Sequence, residues 1–241
     1  MGNETRQDKA ISIGVMHELM RLFEEDFKQG DMSRDDVSAA NMCIQGFCGG
    51  MRGYEVMFTD LKGLRHDQEQ RVIRQQSDGI GWPLVGRFKM EGGAFGNHIV
   101  PIAGVTKSGL QPLKWGDRLI GALQDEGVTK GWAFCREDGR QAHCADYGET
   151  VFSKLEEIQN NRPDLIEQDC KVREEYGLQR SWRRGFASEA ANQGVKETDI
   201  NAQCRWQSEM KTGRMVFRSM ADRYTDYRLN RSRLLKPSRA L

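Results

Sequence analysis

Apolar side chains recur at helical spacing between Lys9 and Gln29, where Ile11, Val15, Met16, Leu19, Leu22, Phe23 and Phe27 share one face. Gly30-Asp31 ends that pattern, and Ser33 stands as the N-cap of a second helix reaching about Cys48. Gly46, Gly49, Gly50 and Gly53 crowd the end of that helix, and Tyr54 to Leu61 reads as a short apolar helix. The texture then changes. Ile80 to Phe88 is rich in Gly, Trp, Pro and Val, and His98 to Ile102 is a β-like run. Met90 to Asn97 between them is turn material, so the pair predicts a β-hairpin.

Helical periodicity resumes at Trp115 to Glu126, with Gly127 as its stop. Trp132 to Phe134 reads as a short strand before a polar turn at Glu137 to Arg140. Helices are expected over Glu149 to Gln159, Leu165 to Tyr176, Ser181 to Gln193 and Glu197 to Cys204, with Pro163, Gly177 and Gly194 as breaks. Met215 to Leu235 is long, basic and loosely amphipathic. No internal repeat, low-complexity tract or linker interrupts the chain. The expectation is one domain over residues 1–241, mainly α with a small inserted antiparallel β-sheet. Its core spans residues 8–235, and residues 230–241 form a C-terminal tail.

Composition agrees with an ordinary core and a soluble surface: 38% of residues are hydrophobic and 29% charged. No run of 18 apolar residues exists, which excludes a membrane-spanning helix of the usual kind. The polar start MGNETRQDKA is unlike a secretory signal. Six cysteines without a CxxC pair point to a reducing, intracellular setting rather than a disulfide scaffold. Cys135, His143 and Cys144 lack a second ligand pair at zinc spacing, so no metal site is expected.

Net charge is only +1, but its distribution is uneven. From Arg180 to Leu241 lie 14 basic and 6 acidic residues, against 22 and 29 in the preceding part. Such asymmetry suggests that the C-terminal part faces a polyanion.

The residues able to act on a phosphodiester stand in a definite order. Arg52 lies in G-G-M-R-G-Y-E, and Lys89 lies beside the hairpin turn. Arg180 and Arg183 are spaced to share a helix face, Trp206 follows in C-R-W, and Tyr224 and Tyr227 come last. Arginine presents a rigid fork of donors to phosphate oxygens, and tyrosine can act as a covalent nucleophile. Arg184, Arg205, Arg223 and Arg228 add DNA-binding candidates around these positions.

Taken together, these boxes resemble the catalytic domain of the tyrosine recombinase (phage integrase) family. M-R-G-Y-E-V-M-F-T-D-L fits the first box, with Arg52 and Glu55, and F-K-M-E-G-G-A-F-G-N-H-I-V-P-I offers Lys89 on the family's hairpin. R-S-W-R-R-G-F-A-S-E-A-A-N-Q-G-V fits the second box, placing Arg180 where the family has histidine and Arg183 at its arginine. Trp206 matches the later His or Trp, and Tyr224-Thr225 matches the nucleophile, with Tyr227 the second choice. The insert M-K-T-G-R-M-V-F-R-S-M resembles integrase-like proteins of eukaryotic mobile elements.

The resemblance implies a recombinase catalytic-domain fold and DNA integration or site-specific recombination through a 3′-phosphotyrosyl intermediate. In that scheme Arg52 and Arg183 clamp the non-bridging oxygens, Lys89 is the general acid and Trp206 supports the nucleophile. Lys107 and Arg87 are alternatives to Lys89, and Glu55 is read as a partner orienting an arginine. Neither metal, ATP nor another cofactor is implied. The implied partners are double-stranded DNA and three further copies of the chain in a tetramer, with no membrane and a nuclear location in a eukaryotic host. The family's N-terminal DNA-clamping domain is expected to be absent, since the first box begins within about 50 residues of Met1. Arg180 cannot act as a base, because a guanidinium stays protonated. A recombinase fold that binds DNA without turnover is therefore the alternative, and a type IB topoisomerase shares the same chemistry.

Overall fold

A computed structural model describes residues 8–70, 79–87, 95–205 and 237–241. It is built around one helix that is buried along all but its first turn. The first helix, α1 (Ile13–Gln29), is capped by Ser12, whose hydroxyl accepts from Val15 N–H at 3.2 Å. It buries Val15, Met16, Leu19, Met20, Leu22 and Phe23, the predicted face, and leaves Phe27 partly exposed. Helix α2 (Arg34–Cys48) starts at Ser33 in a reciprocal capping box with Asp36. Every residue from Val37 to Cys48 is buried. A helix buried on all sides must satisfy its polar groups internally. Asn41 accordingly donates to Val37 O at 2.9 Å, and Gln45 donates to Pro112 O at 2.8 Å.

The chain then forms a one-turn helix α3 (Gly53–Val56) and a separate helix α4 (Leu61–Gln70). This corrects the single helix expected over Tyr54 to Leu61. Phe58 to Asp60 instead pair with the hairpin: Val85 N–H donates to Phe58 O at 2.8 Å and Asp60 N–H to Pro83 O at 3.1 Å. The hairpin is β1 (Gly79–Arg87) and β2 (Phe95–Ala103), antiparallel in a register running from Gly79 opposite Ala103 to Arg87 opposite Phe95. Ile80, Trp82, Leu84, Val100 and Ile102 face the core, and the Trp82 indole donates to Thr59 Oγ1 at 2.7 Å. The box around Arg52 and the hairpin are thereby tied together.

Helix α5 (Pro112–Asp125) packs on α2, and a 3₁₀ turn at Cys144–Tyr147 leads into α6 (Gly148–Asn161). The strand expected over Trp132 to Phe134 is reduced to a single bridge between Trp132 and Asp60. The helix expected over Leu165 to Tyr176 is reduced to one turn, α7 (Val172–Glu175). Its apolar residues Ile166, Cys170, Val172 and Tyr176 are buried nonetheless. The reason is a competing set of bonds: the Gln159 amide donates to the carbonyls of Glu167, Gln168 and Cys170, holding that backbone in turns.

Helices α8 (Ser181–Asn192) and α9 (Glu197–Gln203) close the helical layer. Residues 237–240 form a helical turn whose Ser238 Oγ accepts from Ala103 N–H at 3.0 Å. Lys107 and Ser108 N–H groups donate to the carbonyls of Arg239 and Leu241, so this part of the expected tail packs on its own chain. The described protein is mainly helical with a two-stranded antiparallel sheet. Among the described residues no helix is long and apolar enough to cross a membrane.

Candidate functional site

Helix α2 ends in a turn at Gly50, which takes a left-handed φ of 59°. A Cβ there would lie 2.9 Å from Phe186 Cδ1 and 3.0 Å from Cys204 Sγ, so glycine lets this turn press against α8 and the end of α9. Arg183, on the first turn of α8, exploits that approach, and its Nε donates to Gly50 O at 2.8 Å.

Arg52 follows in extended backbone as the N-cap of α3. Its N–H donates to Glu55 Oε2 at 2.9 Å, and its Nη1 lies 3.3 Å from Glu55 Oε1. Gly53 comes so close to the chain before α8 that a Cβ would meet Leu178 O at 2.2 Å. Gly53 N–H donates to Gln179 O at 3.1 Å, and Tyr54 N–H donates to Gln179 Oε1 at 3.2 Å. These backbone staples set the position of α3 against α8, and with it the position of Glu55 against Arg183.

Glu55 is the centre of the arrangement, with only 3% of its side chain exposed. Its Oε2 accepts from Arg183 Nη2 and, at 2.6 Å, from Arg205 Nη2. Three guanidinium groups therefore converge on one buried carboxylate. Arg183 is 4% exposed, Arg205 17% and Arg52 24%, so the cluster grades from interior to surface. Nη1 of Arg183 and Nη1 of Arg205 are both buried and lack a hydrogen-bond partner among the described residues.

The electrostatics follow from this geometry. Burial pushes the Glu55 carboxyl up, but Arg205, Arg183 and Arg52 outweigh it and hold the group below the usual carboxylate range. Burial pulls the Arg183 guanidinium down to about 10, which leaves it cationic at neutral pH. Cys204 adds no negative charge, because burial raises its thiol to about 12. One anion thus faces three cations. A buried excess of positive charge with unused donors is costly unless an anion completes it. Phosphate and carboxylate are the groups that match the guanidinium fork.

Among the sequence-derived candidates, the structure brings together Arg52, Arg183 and Arg205, with Glu55 between them. Arg180 does not join them: it is the exposed N-cap residue of α8, whereas Arg183 points into the interior. The shared helix face expected for that pair is not formed. Arg184 is half-buried on α8, Arg87 closes β1 at an exposed position, and Lys107 lies in the loop after β2. Lys89, Trp206, Arg223, Tyr224, Tyr227 and Arg228 lie outside the described residues.

Two participants carried little signal in the sequence. Arg205 stood only as a general DNA-binding candidate, with its place beside Trp206 the sole hint of more. Gln179 gave none, yet its side chain bonds both Tyr54 N–H and Cys144 Sγ, the latter at 2.7 Å. Among the described residues no group of three or more His, Cys, Asp or Glu side chains is placed to hold a metal ion. Comparison of the chain with family models, curated proteins and solved structures finds no match.

Proposed function

We propose that the protein is a DNA breaking-and-rejoining enzyme of the tyrosine recombinase kind, acting in integration or site-specific recombination. The observation that carries this reading is the convergence of Arg52, Arg183 and Arg205 on Glu55. The bonds to Glu55 cross 128 residues from Arg183 and 150 from Arg205, and they unite the first box, the second box and the run before Trp206. A clamp for a phosphodiester needs that kind of cationic excess, with donors left over for non-bridging oxygens.

In this mechanism the phenol oxygen of Tyr224 attacks the scissile phosphorus and loses its proton. The bond from phosphorus to the 5′ oxygen breaks, and that oxygen leaves as a hydroxyl after receiving one proton. The product is a 3′-phosphotyrosyl linkage and a free 5′-hydroxyl end. Attack by a 5′-hydroxyl on that linkage reverses the step and rejoins a strand, so no external energy source enters. Arg52 and Arg183 stabilise the charge that builds on the pentacoordinate phosphorus, Lys89 is the proposed proton donor, and Trp206 the proposed support for the nucleophile. Double-stranded DNA and a tetramer on paired sites complete the proposal.

A second reading has an observation of its own in its favour. Arg180 stands exposed at the position where the family has its histidine, apart from the arginine cluster. A recombinase fold that binds DNA without turnover would tolerate that placement. The test is a nicked suicide duplex carrying candidate element ends. A covalent protein–DNA adduct that disappears in Tyr224→Phe and persists in Tyr227→Phe supports the enzyme. Binding of the same duplexes with no adduct in any of them would leave the binding-only reading.

A further inference from the structure

We infer that Arg205, rather than Arg180, completes the phosphate-binding group with Arg52 and Arg183. The inference rests on reading this cluster as a phosphodiester site and names the residues that meet its ligand.

Four observations lead there. Arg205 Nη2 and Arg183 Nη2 donate to the same atom, Glu55 Oε2, so the two guanidinium groups lie side by side. That oxygen also accepts from Arg52 N–H, which fills its capacity and leaves no room there for further donors. The remaining Nη1 atoms of Arg183 and Arg205 are buried with no partner among the described residues. Charge points the same way: Glu55 supplies one negative charge against three cations, so the cluster carries two positive charges with no counterion among its own residues.

The backbone adds a further point. Arg205 has φ 55° and is the sole non-glycine residue with positive φ among the described residues. A side chain in that region is disfavoured by the clash of its Cβ with the backbone, a penalty glycine would avoid. The bond to Glu55 offsets the strain and aims the guanidinium into the cluster. Strained residues of this kind concentrate where a ligand is held. Arg180, by contrast, is exposed at the N-cap of α8, and its side chain has no partner among the described residues.

The ligand class is a phosphodiester or phosphate oxyanion presenting two oxygens, one to each free Nη1. The experiment is a calorimetric titration of the whole chain with inorganic phosphate, which requires no cognate DNA. Wild type is compared with Arg205→Gly, Arg205→Lys and Arg180→Ala. Arg205→Gly should weaken phosphate binding at least tenfold, and Arg205→Lys should weaken it severalfold by removing the fork while keeping the charge. Arg180→Ala should change affinity less than twofold. If Arg205→Gly does not fold, Arg205→Lys carries the test, and unchanged affinity in it overturns the inference. Loss of binding in Arg180→Ala, or no phosphate binding by wild type, overturns it too. Phosphate binding that depends on Arg205, with no adduct on any duplex, sinks the recombinase reading alone. Adduct formation with phosphate binding indifferent to Arg205 sinks this inference alone.

Discussion

Arg205 Nη2 lies 2.6 Å from Glu55 Oε2, joining the end of α9 to the one-turn helix that follows α2. With Arg183 on the same oxygen, that contact makes Glu55 the hub on which two distant parts of the chain meet.

Removing the hub's charge is the sharpest test of its structural weight. Glu55→Gln leaves three guanidinium groups facing a neutral amide, and breaking a buried ion pair in this way costs about 3–5 kcal/mol. Denaturant unfolding should show that loss, and millimolar phosphate should recover part of it. A variant as stable as wild type would show that the carboxylate is not what holds the arginines.

Arg52 is the most accessible of the three arginines, and its loss leaves Glu55 paired to Arg183 and Arg205. Arg52→Ala should therefore fold and still bind duplex DNA, while adduct formation on a suicide substrate falls about 100–1000-fold, the usual cost of one transition-state donor. An equal fall in binding and in adduct rate would mean that Arg52 serves affinity alone.

Acid should weaken the fold through its paired carboxylates. Hydrogen bonds from Arg118 hold the Glu24 carboxyl down to about 2, burial opposes them, and Lys114 adds a further bond. Glu55 is also held below its ordinary value. A carboxyl with a lower pKa folded than unfolded stabilises the protein above its unfolded value, near 4.5. That contribution is lost as pH falls toward about 2. Stability measured across this range should drop in wild type and drop less in Glu24→Gln, the two curves converging at the acid end. Parallel curves down to pH 2 would exclude Glu24 as a contributor.

Two glycines should respond in opposite directions. Gly53→Ala drives a Cβ to 2.2 Å from Leu178 O, a backbone atom, and should destabilise by about 1–3 kcal/mol while pulling Glu55 out of register. Gly121, inside α5, has nothing within 4 Å of a built Cβ. Alanine there should stabilise by about 0.5–1 kcal/mol. Thermal melts of the two variants shifting the same way would contradict this packing.

Much of the local structure was legible because it is written in short-range chemistry. Ser33 as an N-cap, the face from Ile11 to Phe27 and the hairpin flanking Met90 to Asn97 are patterns a few residues long. Helix α4 escaped because LKGLRHDQEQ has too few apolar positions to show a period, and only Leu61 and Leu64 are buried among its described side chains. Residues 165–176 carried a helical pattern that lost to the Gln159 amide, a side chain from the preceding helix.

By itself, then, the sequence determined the capped helices, the hairpin and the order of arginine-bearing boxes along the chain. Which arginines share an anion was decided only in three dimensions. Arg180 and Arg183 look alike on a helical wheel, but the bond from Arg183 to Gly50 O and the staple at Gly53 turn one inward and leave the other in solvent. Arg205 enters because the strained turn after α9 brings it across 150 residues to Glu55. Spacing along a chain sets which side chains can neighbour each other within an element, whereas the packing of elements sets which charges meet in the interior.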